Sequence, residues 1–344
     1  MLLRVNGGSY AGDVLRERSV TLSSRDAGLA EAIVFGCLRY QLPLDFLIRR
    51  HAQARLDPEV RIALRMGVYQ LRYLDRIPPH AAVSESVELV KGAGKRSAAG
   101  LTNAVLRKTG REPVIWPDRA TELSTPSWLL ERWDRQFGVE TAIGIAQEFL
   151  KPVEKHLAET GRIQDVGAQS VVPFLDLHPG ESFLDLCAAP GNKTAQAIAA
   201  GADTVACDVH WYRLKQLAGL NCRRVVLDGT QPLPFRGRFD KILVDAPCSG
   251  TGTLGRNPEI KWRLKPKDLQ ALHLKQVALL RSALKHLHPG GRLVYSTCSL
   301  EDEENGQVIE AVPGDWQVFQ RLPGRDPGDG FFIGVLLSPK GVPG

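Results

Sequence analysis

The spacing of apolar residues divides the chain into a helical first part and a second part in which strands alternate with helices. Across residues 25–108, apolar side chains recur every three or four positions, which predicts amphipathic helices. Asp57-Pro58-Glu59 predicts a helix start, because Asp favours the N-cap and proline the first helical position. Pro78-Pro79 predicts a break between two further helices. We therefore expect a bundle of about five helices that offers no catalytic groups.

Beyond residue 181, short apolar runs predict strands, and helical patterns fit between most of them. The expected strands are residues 183–186, 204–207, 224–227, 241–244 and 292–296, with a hydrophobic closing pair around 331–337, and the clearest helix spans 266–287. This alternation predicts an α/β domain with a mostly parallel, doubly wound sheet. Residues 113–126 contain three prolines in polar sequence and predict a linker. The predicted divisions are a helical domain at 1–112, this linker, a short helical connector at 127–160 and the α/β domain at 161–344.

The stretch FLDLCAAPGNKT, residues 183–194, has the pattern of a buried strand, a tight loop of small residues and a helix start. In open α/β sheets such a unit builds a ligand site, since loop N–H groups and the helix dipole point above the strand end. The loop matches neither GxxxxGK[ST] nor GxGxxG, so it does not call for a pyrophosphate. Asp208 lies 17 residues after Gly191, at the end of the next apolar run, where a carboxylate can hold ribose hydroxyls. We expect a nucleoside-type cofactor here, and a strand–turn–helix without a ligand is the alternative.

Four aspartates stand at or near the ends of successive predicted strands: Asp185, Asp208, Asp228 and Asp245. Ligands of open α/β sheets bind along that edge. One carboxylate there is commonplace, but four are a stronger signal, because buried carboxylates without partners are costly.

The distribution of charged residues and the spacing of the cysteines indicate which partners and which cell compartment suit the chain. Residues 1–115 carry 18 Lys and Arg against 11 Asp and Glu, whereas the remainder carries 26 against 27. A basic first part predicts contact with a polyanion, and a merely solvated helical surface is the alternative. The six cysteines form no CxxC pair, and the chain shows neither a secretory signal nor a membrane-spanning apolar run. We therefore expect a monomeric, cytoplasmic protein without disulfides, metal ions or membrane contact.

Two cysteines follow predicted strand ends in polar loops, Cys248 in DAPCSGTG and Cys298 in YSTCS. If the two strands are neighbours, both thiols lie beside the cofactor loop. Positive surroundings or a helix N-terminus lower a thiol pKa and make the cysteine nucleophilic. We expect Ser299 to N-cap a helix that begins in the acidic run after it, next to Cys298. The other cysteines fit the pattern of small buried hydrophobes: Cys37, Cys187, Cys207 and Cys222.

The motifs CAAPGNK (187–193), DAPCSGTGTLGRNPEIKW (245–262) and LVYSTCSLEDEEN (293–305) resemble those of the RsmB/Sun family of S-adenosylmethionine-dependent RNA cytosine-5 methyltransferases. RDAGLAEAIVFGCLR (25–39), DRIPPHAAVSESVELVK (75–91) and LTNAVLRK (101–108) resemble the NusB-like RNA-binding fold that this family carries at its N-terminus. The resemblance covers nearly the whole chain. It implies an all-α NusB-like bundle followed by a Rossmann-like class I methyltransferase domain.

The resemblance also implies roles for individual residues. Cys298 would attack carbon 6 of a cytosine, Cys248 would assist product release, and Asp245 would hydrogen-bond the base near its ring nitrogen. S-adenosylmethionine would be the methyl donor and S-adenosylhomocysteine its product. The positions that match the family's cofactor contacts are Cys187, Ala188, Ala189, Pro190, Gly191, Asn192, Lys193, Asp208, Asp228 and Asp245.

Basic residues of the first domain are the candidates for RNA contact: Arg25, Lys95, Arg96, Arg107 and Lys108. A helical lid that contacts only the enzyme core is the alternative. We also expect Lys261 and Arg263 to line an RNA channel after the first cysteine loop, with core packing as the alternative for Trp262.

Three features depart from the family pattern. Asn192 replaces the usual second glycine of the loop, and Asn tolerates positive φ better than most residues. His210 stands where a second acidic group is usual after Asp208. Only 34 residues separate Pro126 from Gly161, where the family inserts a small RNA-binding subdomain.

The expected function is cytosine-5 methylation of RNA, with ribosomal RNA as the target. A tRNA methyltransferase is one alternative. A non-catalytic RNA-binding or ribosome-assembly factor that retains the fold is the other.

Overall fold

The computed structural model describes residues 1–53, 55–110 and 113–337. Its α-helices, in chain order, are α1 (Leu2–Asn6), α2 (Ala11–Arg18), α3 (Ser24–Arg39), α4 (Gln41–Arg49), α5 (Pro58–Tyr73), α6 (Pro79–Gly92), α7 (Ala99–Lys108), α8 (Arg119–Glu122), α9 (Ser127–Phe137), α10 (Val139–Glu148), α11 (Val166–Gln169), α12 (Asn192–Ala199), α13 (Trp211–Leu214), α14 (Ile260–Arg263), α15 (Pro266–Leu284) and α16 (Gly306–Glu310). Within the described ranges, none of these helices is both long and apolar enough to cross a membrane.

The chain forms two compact units. The helical unit comprises Met1–Pro152 and Leu254–Arg263, and the α/β unit comprises Val153–Thr253 and Leu264–Gly344. This division differs from the predicted domains in two respects. The helical unit extends past the predicted linker and connector to Pro152, and it takes in a ten-residue segment that follows the first cysteine loop. The predicted domain at 1–112 is therefore only part of this unit.

Helices α1–α7 bury a shared apolar core within the helical unit. Helix α5 begins as predicted, with Asp57 at the N-cap and Pro58 at the first helical position. Helix α6 begins at Pro79, after the predicted break. The short helices α1 and α2 were not predicted, because five and eight residues are too few to establish a helical period.

The predicted linker is structured for much of its length. Its residues include helix α8, where Asp118 caps the helix by accepting a hydrogen bond from the Thr121 N–H. Arg119 forms an ion pair with Asp134 of helix α9. Ser124 and Thr125 are fully buried. The predicted linker thus contains a capped helix and fully buried side chains, which the proline spacing did not indicate.

The segment Leu254–Arg263 belongs to the core of the helical unit. Lys261 is 2% exposed, and its Nζ donates to the backbone carbonyls of Arg39 at 3.2 Å and Ser124 at 2.7 Å. Trp262 packs against the same core and donates its indole N–H to the Leu38 carbonyl at 2.8 Å. The core-packing alternative for Trp262 agrees with this placement, and the expectation that Lys261 lines an RNA channel does not, because its ammonium is enclosed by protein.

Arg263 is likewise occupied within the helical unit. Its guanidinium donates to the backbone carbonyls of Val5, Gly8 and Ser9 and lies over the Tyr10 ring. These contacts occupy three of the five N–H donors of the guanidinium, and the expectation that Arg263 lines an RNA channel stays a prediction.

The strands of the described residues form one seven-stranded sheet in the α/β unit, in the order β3-β2-β1-β4-β5-β7-β6. They are β1 (Ser182–Asp185), β2 (Asp203–Asp208), β3 (Arg223–Val226), β4 (Phe239–Asp245), β5 (Leu287–Thr297), β6 (Trp316–Arg321) and β7 (Phe331–Leu337). The first five are parallel, and β7 pairs antiparallel with both β5 and β6. The mostly parallel sheet is as predicted, and strand β1 lies between β2 and β4, where the chain direction across the sheet reverses.

Lys261 provides a test of the buried segment through the pH dependence of stability. Burial and the charge of Arg39 lower the pKa of Lys261 to about 7, whereas an unfolded lysine has a pKa of about 10.4. Between these values the unfolded chain binds the additional proton, so folding stability rises with pH across this window. We expect the wild type to gain stability over Lys261→Met as the pH rises from 7 to 10, measured by calorimetry.

The exposed Lys91, which pairs with Glu88 on helix α6, offers the matched control. Lys91→Met should show no such pH-dependent difference from the wild type. If the stability difference between the wild type and Lys261→Met stayed constant from pH 7 to pH 10, the lowered pKa of Lys261 would be contradicted.

Candidate active site

The loop between β1 and α12 turns through Gly191, whose φ of +97° places it in the left-handed region. A Cβ at this position would lie 2.6 Å from the Leu217 side chain, so both conformation and space favour glycine. The Ala189–Pro190 peptide bond is cis. The Ala188 N–H donates to the Cys207 carbonyl at 2.8 Å, which ties the loop to strand β2.

Asn192 does not adopt the positive φ that its replacement of a glycine suggested, because it is the first residue of helix α12. Its side chain accepts a hydrogen bond from Arg162 Nε at 2.6 Å and donates to the Ile163 carbonyl at 3.3 Å. Asn192 therefore fixes the loop through side-chain contacts rather than through backbone conformation.

A cavity of about 670 Å³ opens above the carboxyl ends of β1, β2, β3 and β4. Three of the four predicted aspartates line it, namely Asp208, Asp228 and Asp245, together with apolar residues such as Leu227 and Leu279. The volume lies within the roughly 300–1,000 Å³ typical of small-molecule sites. Its place at the point where strand order reverses is where open α/β sheets bind ligands.

The donor and acceptor groups of this cavity fit S-adenosylmethionine. Asp208 is 3% exposed at the end of β2, and one carboxylate oxygen accepts the His210 N–H at 3.1 Å. Asp228 is exposed on the other side, and hydrogen bonds from the Thr230 side chain and backbone lower its pKa. Carboxylates at these strand ends suit ribose hydroxyls and amino groups, and the apolar lining suits an adenine ring.

Arg213 is a residue of this site that the sequence did not single out. Its guanidinium lies 3.3 Å from the Asp208 carboxylate and donates to the Ala189 carbonyl at 3.0 Å, so it joins the loop to the end of β2. Nothing in the spacing of the short helix α13 distinguishes it from other surface arginines.

Asp185 lines a smaller cavity of about 200 Å³ on the other side of Lys193 and Asp245. One of its carboxylate oxygens accepts the Thr194 hydroxyl at 2.7 Å, and the other, buried, has no hydrogen-bond partner. Burial raises the pKa of Asp185 to about 7, even though the Thr194 bond acts in the opposite direction. Asp185 thus supports the start of helix α12 rather than the larger cavity.

Strands β4 and β5 are neighbours, and the loops after them bring the two cysteines together. The sulfur atoms of Cys248 and Cys298 lie 3.4 Å apart, and both residues line the large cavity. Hydrogen bonding to Cys298 and burial raise the pKa of the Cys248 thiol well above its ordinary value. Cys248 therefore remains a protonated thiol at neutral pH and can donate its S–H to Cys298.

Lys193 and Asp245 stand between the thiol pair and the cofactor loop. Lys193 Nζ lies 2.7 Å from one Asp245 oxygen, and the Ser296 hydroxyl donates to the other at 2.7 Å. Burial lowers the pKa of Lys193, but the charge of Asp245 and its hydrogen bond outweigh that effect, so the net pKa is raised. The ammonium therefore stays charged beside Asp245 and close to Cys298.

Ser299 does not cap a helix as expected. The acidic run forms only a three-residue 3₁₀ turn, Asp302–Glu304, followed by the five-residue helix α16. Ser299 instead accepts the Glu301 N–H at 3.0 Å and donates its hydroxyl to Glu304. No helix N-terminus therefore stabilises a thiolate at Cys298, and Lys193 is the positive group near it.

Of the remaining cysteines, Cys37 and Cys207 are buried, whereas Cys187 and Cys222 are only partly buried. Burial raises the pKa of Cys37 and of Cys207 to about 12 and that of Cys187 further still. Burial also raises the pKa of Cys222, in the α/β unit. Among the described residues, no group of three or more His, Cys, Asp or Glu side chains could hold a metal ion.

The basic candidates of the first domain lie on the surface of the helical unit, although they are not all free. Lys95 forms an ion pair with Asp57 at 2.9 Å, and Arg107 donates to the Asn103 side chain at 3.0 Å. Arg25, Arg96 and Lys108 are exposed.

Comparison with known proteins places the fold in the class of Rossmann-like methyltransferases. A methyltransferase homolog protein from Pyrococcus horikoshii superposes with a TM-score of 0.55 at 25% identity, covering 65% of this chain and all of that one. The crystal structure of PH0851 superposes with a TM-score of 0.76 at 22% identity over 94% of this chain and 92% of that one.

The family follows from the sequence comparisons. Residues 172–323 match the family model "16S rRNA methyltransferase RsmB/F", and residues 4–111 match the NusB family. These matches, together with relatives that are 31% and 32% identical over nearly the whole chain, show that the chain belongs to the RsmB/F family of S-adenosylmethionine-dependent rRNA methyltransferases. The expected NusB-like helical domain and Rossmann-like methyltransferase domain are confirmed.

Relatives that align with nearly the whole chain are named ribosomal RNA small subunit methyltransferase B. The protein from Klebsiella pneumoniae (strain 342) is 31% identical over 418 positions, covering 98% of this chain and 96% of the relative. The protein from Escherichia coli (strain SMS-3-5 / SECEC) is 32% identical over 416 positions, covering 97% and 96%. Because these alignments are longer than the 344-residue chain, the relatives carry residues that have no counterpart here.

Gly252 provides a structural test of the paired loops. Its N–H donates to the Cys298 carbonyl, and an added Cβ would lie 2.8 Å from that oxygen and in collision with the Gly330 carbonyl. We expect Gly252→Ala to separate the two loops and to lower the free energy of unfolding by about 1–3 kcal/mol, as overpacking does. Thermal unfolding would measure the loss.

Gly237→Ala is the matched control, because a Cβ there meets nothing within 4 Å. If the two alanine variants melted at the same temperature as the wild type, the close approach at Gly252 would not constrain the loops.

Proposed function

We propose that this protein transfers a methyl group from S-adenosylmethionine to carbon 5 of a cytosine in RNA, with 16S ribosomal RNA as the target. The observation that carries the proposal is the pair of sulfur atoms, Cys248 and Cys298, 3.4 Å apart beside Asp245. Two thiols in one cavity suit a reaction in which one sulfur bonds to the base and the other assists its release. The ribosomal target rests on the names of the relatives, both ribosomal RNA small subunit methyltransferases B.

In this proposal the large cavity holds the cofactor, with Asp208 at the ribose, Asp228 at the adenine side and Asp245 near the transferable group. The loop residues 187–193 approach the ligand closely because they are small. When bound there, S-adenosylmethionine supplies an electrophilic methyl group.

Carbon 5 of cytosine is a poor nucleophile, and the residues of the site activate it for methyl transfer. Cys298, as a thiolate, adds to carbon 6 and moves electron density onto carbon 5. Asp245 hydrogen-bonds the base near its ring nitrogen and so stabilises the adduct as it forms. Once carbon 5 carries the methyl group, its proton passes to water and the double bond between carbons 5 and 6 re-forms. The bond to Cys298 breaks, and its electron pair returns to the sulfur as a thiolate. Cys248 assists this release.

The arrangement of charge supports the division of labour between the thiols. Cys248 stays protonated because its hydrogen bond to Cys298 and its burial raise its pKa. Cys298 is the sulfur close enough to the Lys193 ammonium to contribute to raising the Lys193 pKa. Access to the base requires an unpaired or flipped-out nucleotide.

RNA contacts are proposed for the exposed Arg25, Arg96, Arg107 and Lys108 and for the partly exposed Lys95 of the helical unit. Contacts with phosphates would make RNA affinity fall steeply with salt.

The roles of the two thiols predict opposite phenotypes for two conservative variants. With labelled cofactor and small-subunit RNA, Cys298→Ala should transfer no methyl group, because no adduct can form. Cys248→Ala should accumulate a covalent protein–RNA adduct, visible as a shifted band on denaturing gels, because release is impaired.

The matched control is Cys222→Ala, which removes a thiol from outside the large cavity of the α/β unit. Equal activity of wild type and Cys298→Ala would refute the assignment of the nucleophile. If the wild type bound RNA tightly but methylated none, the protein would be a binding factor. Bisulfite sequencing of total RNA with and without the protein would identify the modified cytosine and separate ribosomal from transfer RNA targets.

The proposed cofactor contacts predict a selective loss of affinity. Asp208→Asn should weaken S-adenosylmethionine binding by about tenfold or more, because a hydrogen bond to a charged group contributes about 1.5–3 kcal/mol. Isothermal titration calorimetry would measure this. Asp203→Asn, at the opposite end of strand β2 and exposed, removes the same charge and should leave affinity unchanged. If Asp208→Asn and Asp203→Asn bound S-adenosylmethionine with equal affinity, the proposal that Asp208 contacts the cofactor would be wrong.

A further inference from the structure

Glu304 is a fully buried carboxylate beneath the thiol pair. One of its oxygens accepts the Ser249 N–H at 2.8 Å and a Gln276 amide N–H at 3.0 Å. The other accepts the hydroxyls of Ser249 and Ser299. These four donors fill the lone-pair sites of an ionised carboxylate, and all four are neutral groups. A buried charge arranged in this way is costly unless every hydrogen bond is made.

The donors come from both cysteine loops. Ser249 directly follows Cys248, and Ser299 directly follows Cys298. The two serine hydroxyls also lie 3.1 Å from each other, so Glu304, Ser249 and Ser299 form one hydrogen-bonded cluster. Glu304 is therefore the group that joins the residue after one thiol to the residue after the other.

The position of Glu304 is itself fixed from two further elements. Its backbone carbonyl accepts the Tyr295 hydroxyl from strand β5 at 2.6 Å. Gln276 of helix α15 holds the Glu304 carboxylate and also donates to the Pro247 carbonyl, immediately before Cys248. Strand β5 and helix α15 are the long elements of the α/β unit, so the carboxylate is anchored on rigid structure.

We propose that Glu304 is a positioning residue for methyl transfer, which holds the loops of Cys248 and Cys298 at the separation at which one sulfur can share a proton with the other. The role rests on the proposed function of the two thiols. It is distinct from contact with the base or the cofactor, because the carboxylate is enclosed by the four donors.

The charge of Glu304 adds an electrostatic consequence. Its carboxylate is one of the groups that raise the pKa of Cys248, after hydrogen bonding to Cys298 and burial. The other ionisable groups close to the thiol pair are Tyr295 on β5, Asp245 at the end of β4 and Lys193 on α12. Lys275 on α15 lines the same cavity. The charge of Lys193 is balanced by that of Asp245. Removal of the Glu304 charge should therefore lower the pKa of Cys248.

The first test needs no RNA. In a Cys298→Ser background, iodoacetamide modification of the Cys248 peptide is followed by mass spectrometry as the pH rises. Glu304→Gln should move the midpoint of modification to lower pH, because the negative charge near Cys248 is removed. Glu304→Asp keeps the charge and should leave the midpoint closer to that of the parent.

The second test measures turnover with labelled S-adenosylmethionine and RNA in the wild-type cysteine background. Glu304→Gln should lower kcat by roughly 100-fold, the effect of a displacement of about 1 Å at a reacting group, with little change in the KM of either substrate. Glu304→Asp is too short to reach both loops and should also lower kcat. Asp302→Asn, exposed in the same turn, is the control for loss of charge.

Serine variants keep the proposal testable if Glu304→Gln fails to fold. Ser249→Ala and Ser299→Ala each remove one hydroxyl donor and should lower kcat while cofactor affinity is retained. The proposal is overturned if both serine variants keep full kcat, or if Glu304→Gln folds with an unchanged kcat and an unchanged alkylation midpoint. If the wild type methylates no RNA, the proposed function fails, and the alkylation midpoints alone decide whether Glu304 controls the thiol pair.

Discussion

The adjacency of strands β4 and β5 is the constraint on which the site depends. Asp245 and Ser296 are partners in the ladder of these two parallel strands, so the loops that follow must leave the sheet side by side. The sulfur atoms then meet at 3.4 Å without any covalent link. A shift of one residue in this register would turn the side chains of one strand to the opposite face of the sheet. The distance between the two sulfur atoms is therefore a consequence of the pairing of β4 with β5.

Opposing demands on charge explain the density of polar contacts around the thiols. A protonated Cys248 needs burial and negative surroundings, whereas a reactive Cys298 needs a positive group nearby. The structure separates the two demands in space, with Glu304 and its donors on one side and the Lys193–Asp245 pair on the other. Glu304 accepts four hydrogen bonds, and Asp245 is paired with Lys193 and Ser296, so neither charge is left uncompensated.

Much of this arrangement was predictable from sequence because parallel strands place their carboxyl ends along one edge. The strands, the aspartates at their ends and the convergence of the two cysteine motifs all follow from that rule. Side-chain networks were not predictable in the same way. Nothing local distinguishes Glu304 from the three acidic residues before it, since its role depends on Gln276, 28 residues away in the chain. The helix expected directly after Ser299 did not form, and the Ser299 hydroxyl instead makes local hydrogen bonds with the Glu301 N–H and the Glu304 carboxylate. Likewise, a lysine beside a tryptophan looks like a surface RNA contact until the fold shows Lys261 to be enclosed.

The path of the chain through its two compact units has a consequence for dissecting the protein. The helical unit is completed by Leu254–Arg263, which is encoded between the two cysteine motifs. A fragment that ended at the conventional boundary near residue 112 would lack Lys261 and Trp262, and the carbonyls of Leu38 and Arg39 would lose their donors. The helical unit is therefore discontinuous in sequence. A single truncation leaves the helical unit without this segment, whereas a fusion that joins Leu254–Arg263 to the first part supplies it in the same chain.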